Sequence, residues 1–246
     1  MNPQAYIDMD KTESNHWWFT ARRLIMVEIL KSLNLSADAK ILEIGCGTGG
    51  NLNILSEFGK VSAIEMDANA HEIASEKTNN SYDIRVGSFP SDIPFKDEKF
   101  DLICMLDVLE HIENDTQTLI EIQKLLTPSG KIFITVPAYQ WLYGVHDKFL
   151  HHKRRYSAET LSRRIPSGLV ITKISYFNMF LFPLAVMVRL KDKFANNTST
   201  TGTDLPPKII NKLFEIIFRS ERYLLKYLNL PFGLSLFCVI NTTDKR

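Results

Sequence analysis

Apolar and polar positions fall in alternating blocks along this chain. The run Lys40-Ile41-Leu42-Glu43-Ile44 is short and apolar and stops at Gly45-Cys46-Gly47-Thr48-Gly49-Gly50. It predicts a strand covered on both faces that runs into a glycine turn. Val61-Ser62-Ala63-Ile64, ending in Glu65, then residues 83–86, 100–105 and 131–136 repeat the pattern. Between them, residues 50–58, 70–78 and 116–126 carry apolar side chains at helical spacing. Gly59 ends the first of these helices, Asp67 caps the second, and Thr127-Pro128-Ser129-Gly130 ends the third. Strands alternating with helices predict an α/β chain with a parallel, Rossmann-like, doubly wound sheet. Such sheets bind ligands at the carboxyl ends of their strands, where Glu43, Gly45, Glu65, Ser88, Leu106 and Pro137 all fall.

The flanks add two regions. Residues 1–36 form an N-terminal cap, with a helix expected from about Ser14 to Leu35 and an aromatic entry, His16-Trp17-Trp18-Phe19. This helix either packs its aromatics on the main body or lids the site. The core then covers residues 37–177 and 234–246, with a helix at 158–165 and further strands near 169–177 and 234–241. The interval 178–233 is far too long for a hairpin loop and reads as a helical insertion. It opens with the apolar run from Met179 to Val188, too short to span a bilayer, followed by Arg189, Lys191 and Lys193. A polar connector from Asn196 to Pro207 leads to an amphipathic helix from Ile209 to Leu228. An acceptor lid, a homodimer surface and a peripheral membrane seat are the three fates of such an insertion.

Composition narrows the function. A net charge of +1 gives no general attraction to nucleic acid. The three cysteines, Cys46, Cys104 and Cys238, are odd in number, far apart and set in apolar surroundings, as expected of buried thiols in a reducing cytoplasm. The opening residues carry no apolar secretory core. The expected location is cytoplasmic, with peripheral contact at the inner face of a membrane if the insertion meets lipid.

Gly45, Gly47 and Gly50 satisfy the dinucleotide pattern, which leaves a nicotinamide-dependent oxidoreductase as an alternative. Glu43 argues against it, because a carboxylate there opposes a pyrophosphate at the helix N-terminus. A cationic ligand with a ribose suits it better, and Glu65 is placed to accept hydrogen bonds from ribose hydroxyls. Leu42-Glu43-Ile44-Gly45-Cys46-Gly47-Thr48-Gly49 resembles motif I of the class I S-adenosylmethionine-dependent methyltransferases, and the stretches from Phe100 to His111 and Leu126 to Lys131 are similar to the same family. The flanking motifs look like a type 11/12-like bacterial branch, from which no acceptor carries over.

The resemblance implies a seven-stranded sheet with a terminal antiparallel pair, S-adenosyl-L-methionine as cofactor and S-adenosyl-L-homocysteine as product. Its implied cofactor contacts are Glu43, Gly45, Cys46, Gly47, Glu65, Met66, Ser88, Phe89 and Leu106. Met66 lies on the adenine or belongs to the core. Ser88 replaces the family's frequent aspartate, which shifts weight to the backbone and Phe89. Arg22 or Arg23 is a candidate for the methionine carboxylate, since a guanidinium matches it bidentately.

The reaction in view is methyl transfer to an oxygen or nitrogen of a small acceptor, anionic or lipid-linked. The candidate bases are His146 and His111, then Asp107, whose alternative role is to start a helix. The run His151-His152-Lys153-Arg154-Arg155-Tyr156 offers an anion site or a solvated turn before a helix capped by Ser157. No metal site is expected, because no cysteine or carboxylate spacing accompanies the histidines. A protein that binds an adenosyl ligand or a membrane without catalysis would keep the pocket but lack a base.

Overall fold

The computed structural model of the chain describes residues 3–194 and 205–243. Most of the expected Asn196–Pro207 connector lies outside them. In chain order the elements are α1 (Pro3–Thr12), α2 (Trp17–Ser32), β1 (Lys40–Ile44), α3 (Leu52–Leu55), β2 (Lys60–Glu65), α4 (Ala68–Lys77), β3 (Asp83–Val86), β4 (Phe100–Leu106), α5 (Asp115–Lys124), β5 (Leu126–Pro137), α6 (Val145–Phe149), α7 (Ala158–Ser162), β6 (Leu169–Phe177), α8 (Phe182–Phe194), α9 (Lys208–Leu225) and β7 (Ser235–Thr242).

The expected seven-stranded sheet is present, in the order β3-β2-β1-β4-β5-β7-β6. β1 pairs in parallel with β2 and with β4, so the strand order reverses between them and opens a crevice at their carboxyl ends. β7 lies antiparallel to both β5 and β6.

The continuous apolar strands are explained by helices on both faces. Along β4 and β5, Ile103, Met105, Ile132 and Ile134 face one core with Leu119 of α5 and Leu161 of α7. Leu102, Cys104 and Phe133 face the other with Ile25, Met26 and Ile29 of α2 and Phe218 and Leu225 of α9. Cap and insertion therefore share one layer. Trp17 meets Phe214 and Phe218 edge-to-face at 5.5 and 5.9 Å. Its backbone N–H donates to the Asn211 Oδ1 at 2.9 Å.

The boundaries depart from expectation where tertiary contacts override local signals. Pro3–Thr12 is helical although its sequence is polar, because Ala5 and Tyr6 bury against the body. His16 then breaks the chain and caps α2, its Nδ1 accepting from the Trp18 N–H at 3.2 Å. The helix expected at 50–58 shrinks to the single turn Leu52–Leu55. β5 starts at Leu126, ahead of the expected Lys131, because Leu126 pairs with Phe100 before a bulge.

The turn after β6 sets the insertion over the crevice. Asn178 has φ +58, and its neighbour Phe180 donates its backbone N–H to Glu221 Oε1 of α9 at 2.9 Å. Phe182 then seats the first turn of α8 against Tyr139 and Phe232, with ring centres 5.8 and 5.6 Å apart. Burial pushes the Glu221 carboxyl up to about 7 from an ordinary 4.5, against the backbone N–H groups of residues 178–180 that favour its charge.

This shift has a defined sign. Below pH 4.5 the carboxyl is protonated folded and unfolded, and its stability contribution is full. Between 4.5 and about 7 the unfolded chain ionises first, and that contribution is lost. Glu221→Gln keeps the acceptor oxygen without the charge. The difference in Tm, variant minus parent, is expected to become more positive between pH 5 and pH 8 and to level off above, as thermal unfolding in a pH series would record.

Candidate active site

β1 leaves the sheet through three left-handed glycines: Gly45 at φ +70, Gly47 at +55 and Gly49 at +80. The loop is pinned to the neighbouring strand. The N–H groups of Gly45 and Cys46 donate to the Ile64 carbonyl at 2.7 and 3.1 Å. Gly47 N–H donates to Glu65 Oε2 at 2.7 Å, while Met66 and Asp67 N–H donate to Oε1 at 2.9 and 3.0 Å. The Tyr6 hydroxyl of α1 reaches the same Oε1 at 3.3 Å, the longest of the four contacts. Glu65 thus organises the backbone around it as well as standing at the β2 tip.

α1 closes over this loop. Glu13 accepts from the Thr48 hydroxyl at 2.9 Å and pairs with Lys77. A Cβ on Gly50 would lie 1.9 Å from a Glu13 oxygen. Tyr6, Met9 and Glu13 belong to the site although the sequence carried no signal for them beyond their helical spacing.

One cavity of about 1400 Å³ runs from this loop to the underside of α8. Gly45, Cys46, Gly47, Glu65, Met66, Ser88, Phe89, Leu106 and Arg22 line it, as do Asp107, His111 and His146. Glu43 does not. It lies wholly buried on the α2 face beneath the loop, accepting from Asn51 Nδ2 at 2.9 Å, and burial pushes its carboxyl up to about 8. It therefore stands behind the loop and not on the cavity wall, where a cofactor contact was expected. Met66 is 67% exposed and so stands out from the core.

Arg22 and Asp107 were expected in separate roles. Here they form an ion pair across the wall, with the Arg22 guanidinium over the Trp18 ring at 4.7 Å. Asp107, at φ +60, makes that pair from the cavity wall.

The basic run after β5 folds inward. Arg155 Nε donates to Asp147 at 2.7 Å, and Arg154 pairs with Asp115 at 3.0 Å. Both arginines face carboxylates, Arg155 wholly inside and Arg154 partly exposed, and Ser157 caps the helix that follows. Asp147 also accepts from Gly144 N–H at 2.8 Å and bonds His152 Nδ1 at 2.8 Å. Burial opposes its ionisation, but His152 and Arg155 prevail and hold the carboxyl below the ordinary range.

His111 and His152 meet edge-to-face at 4.6 Å, and Glu110 Oε1 lies 3.8 Å from His152 Nε2. Burial, then His152, pushes His111 down to about 3, while burial pushes Glu110 up to about 8. Glu110 and His152 were missed as a group because 42 positions separate them in the chain.

A parallel sheet closed by one antiparallel strand, with a glycine loop facing a carboxylate on the next strand tip, defines the class I S-adenosylmethionine-dependent methyltransferases. The chain belongs to the family described as a methyltransferase domain, whose model matches residues 17–179. It is 32% identical to sterol 4-C-methyltransferase strm-1 of Caenorhabditis elegans over 141 residues, 54% of this chain and 42% of that protein. It is 26% identical to demethylmenaquinone methyltransferase of Staphylococcus saprophyticus over 133 residues, 50% of this chain and 57% of that protein. The chain thus spans about half the length of these relatives. The structure of the plantazolicin methyltransferase BpumL in complex with S-adenosylhomocysteine shares the fold, with a TM-score of 0.58 at 13% identity, covering 98% of this chain and 91% of that one.

S-adenosylmethionine is the cofactor of this family, and the residues fit it. Gly47 puts no side chain between loop and cavity, and the carboxyls of Glu65 and Asp107 on the cavity wall suit a cation and oppose a pyrophosphate. The nicotinamide alternative is set aside with the family match.

The loop conformation gives a stability prediction. A Cβ on Gly45 would lie 2.7 Å from Val108 Cγ2, in a left-handed conformation. Gly45→Ala is expected to cost about 1–3 kcal/mol, seen as a drop of roughly 3–10 °C in Tm by differential scanning fluorimetry.

Proposed function

We propose that the chain transfers a methyl group from S-adenosylmethionine to an oxygen or nitrogen of a small, apolar, lipid-like acceptor. The observation that carries this reading is the single cavity that joins the glycine loop and Glu65 to the apolar underside of α8. Its volume, about 1400 Å³, exceeds the usual range for one small ligand and accommodates cofactor and acceptor together.

When bound, the cofactor supplies an electrophilic methyl on a sulfonium. The chain's own residues do the rest. Glu65 and the loop N–H groups shape the nucleoside end, with the Tyr6 hydroxyl as the contact that a ribose hydroxyl would replace. The Arg22–Asp107 pair complements a zwitterion, the guanidinium for a carboxylate and the carboxylate for an ammonium. Leu181, Leu184 and Val188 exclude water from the acceptor half. His146, on the wall of that half, is the candidate proton acceptor for a hydroxyl or ammonium nucleophile.

Two observations favour a lipid-like acceptor over an anionic one. The arginines after β5 are paired internally, and the relatives named above act, by their names, on a sterol and a demethylmenaquinone. The outer face of the insertion extends the reading to a membrane surface. Ile209, Leu213, Ile216 and Tyr223 form an exposed apolar row on α9, continued by Tyr227 just past its end, and residues 178–233 hold eight basic and four acidic side chains. Among the described residues no helix is long and apolar enough to cross a membrane.

Two experiments test these points. Calorimetry is expected to find micromolar binding of S-adenosylhomocysteine and none of NAD, with Glu65→Ala weakening the former at least tenfold, the scale of a lost charge-assisted hydrogen bond. NAD binding, or indifference to Glu65→Ala, would overturn the cofactor site. Co-sedimentation with vesicles rich in phosphatidylglycerol is expected at low salt and should fall as salt rises. Absence of binding at low salt removes the membrane contact.

A further inference from the structure

Three side chains at the acceptor end of the cavity are arranged as ligands rather than as packing. Glu110, His111 and His152 offer one donor atom each, all within 4.8 Å of one another, and all three residues line the cavity. Glu110 is fully buried, yet neither of its carboxylate oxygens has a hydrogen-bond partner among the described residues. A buried carboxylate without partners is costly, and buried charges are otherwise paired or bound to metals. Its neighbours are a pair of imidazoles, which cannot both serve it at ordinary hydrogen-bond distance: His152 Nε2 stands 3.8 Å away.

The outer shell points the same way. His152 bonds through Nδ1 to the carboxylate of Asp147 at 2.8 Å, which leaves Nε2 turned toward Glu110. Asp147 is itself held by Arg155 at 2.7 Å and by the Gly144 N–H at 2.8 Å. His111 is hydrogen-bonded to the backbone of His151. Imidazoles fixed through one nitrogen by a carboxylate and a main-chain group are how proteins orient metal ligands and set their tautomer.

We propose that Glu110, His111 and His152 bind one divalent first-row transition ion at the acceptor end of the cavity. Two imidazoles and one carboxylate select ions such as Co²⁺, Mn²⁺, Fe²⁺ or Zn²⁺ over Mg²⁺ and Ca²⁺, which take all-oxygen sites. Small movements of the three side chains bring the donors to the ~2.0–2.2 Å ligand distances. Because the three residues line the cavity, the remaining coordination positions face the acceptor. That deepens the proposed function on which this part rests: an acceptor hydroxyl, especially one beside a second oxygen, ligates the ion. The ion then would lower the hydroxyl pKa, and its proton would pass to His146, the acceptor proposed above.

The test uses the full, untagged chain and does not depend on turnover. Titration with CoCl₂, followed by visible absorption and by calorimetry, is expected to give one equivalent bound. Glu110→Gln and His111→Gln are each expected to weaken that binding at least tenfold, with folding confirmed by circular dichroism. Asp147→Asn should weaken it by roughly 10–100-fold, through the orientation of His152. A parent chain that takes up no Co²⁺ overturns the site, as does binding unchanged in both Glu110→Gln and His111→Gln. Titration with S-adenosylhomocysteine runs alongside. Loss of that binding with Co²⁺ uptake intact would sink the methyltransferase reading and leave the metal site standing; the reverse would sink the metal site alone.

Discussion

The hydrogen bond from the Gly47 N–H to the Glu65 carboxylate ties together everything at the carboxyl edge of the sheet. It joins the end of β1 to the end of β2 across a loop whose backbone only glycine adopts without strain. The same carboxylate holds the N–H groups of Met66 and Asp67, and so fixes where α4 begins. α1 then closes on the loop through Tyr6 and Glu13. An alternative partner for Glu65 would release loop, helix start and cap together, so a single charge-assisted interaction sets the cofactor half of the cavity.

The α8 end of the cavity is set by a different device. Here polar residues are buried in a linked network, with Asp147 as its centre and Arg155 and His152 as its spokes. Burial of these groups is tolerable because each charge on Asp147 and Arg155 is met directly. The network pulls the segment after β5 into the body and presents Glu110, His111 and His146 along one wall. Glu221 does the corresponding work for the insertion by holding the turn after β6. The site is thus held by carboxylates at both ends, one engaging backbone and one engaging cations.

Cap and insertion, separated by about 140 residues of chain, form a single layer through α2 and α9. Trp17 is the contact that makes them one, which gives the aromatic entry His16-Trp17-Trp18-Phe19 its division of labour. Trp17 faces α9, while Trp18 lies under the Arg22 guanidinium at the cavity wall. Both rings also line the cavity, so the entry packs on the body and borders the site at once.

Local pattern was enough for the strands, their alternation with helices and the glycine turn. Each depends on residues adjacent in the chain: an apolar run between breakers, or a turn that needs glycine. The residues at the strand ends followed from topology, since any α/β sheet of this order collects them at one edge. Other features depend on partners far away in sequence. Nothing near Pro3–Thr12 marks α1, because Ala5 and Tyr6 bury against the body and the partners of Tyr6 and of Glu13, just past the helix, are the distant Glu65 and Thr48. Nothing near Arg154-Arg155 says whether they meet solvent, an anion or the buried Asp115 and Asp147. Glu43 reads as a site carboxylate until the sheet places it behind the loop. The sequence by itself determined the fold and the cofactor edge, where short-range preferences and one topology suffice; only the tertiary structure decided how the charges pair, because pairing is settled by distance in space and burial.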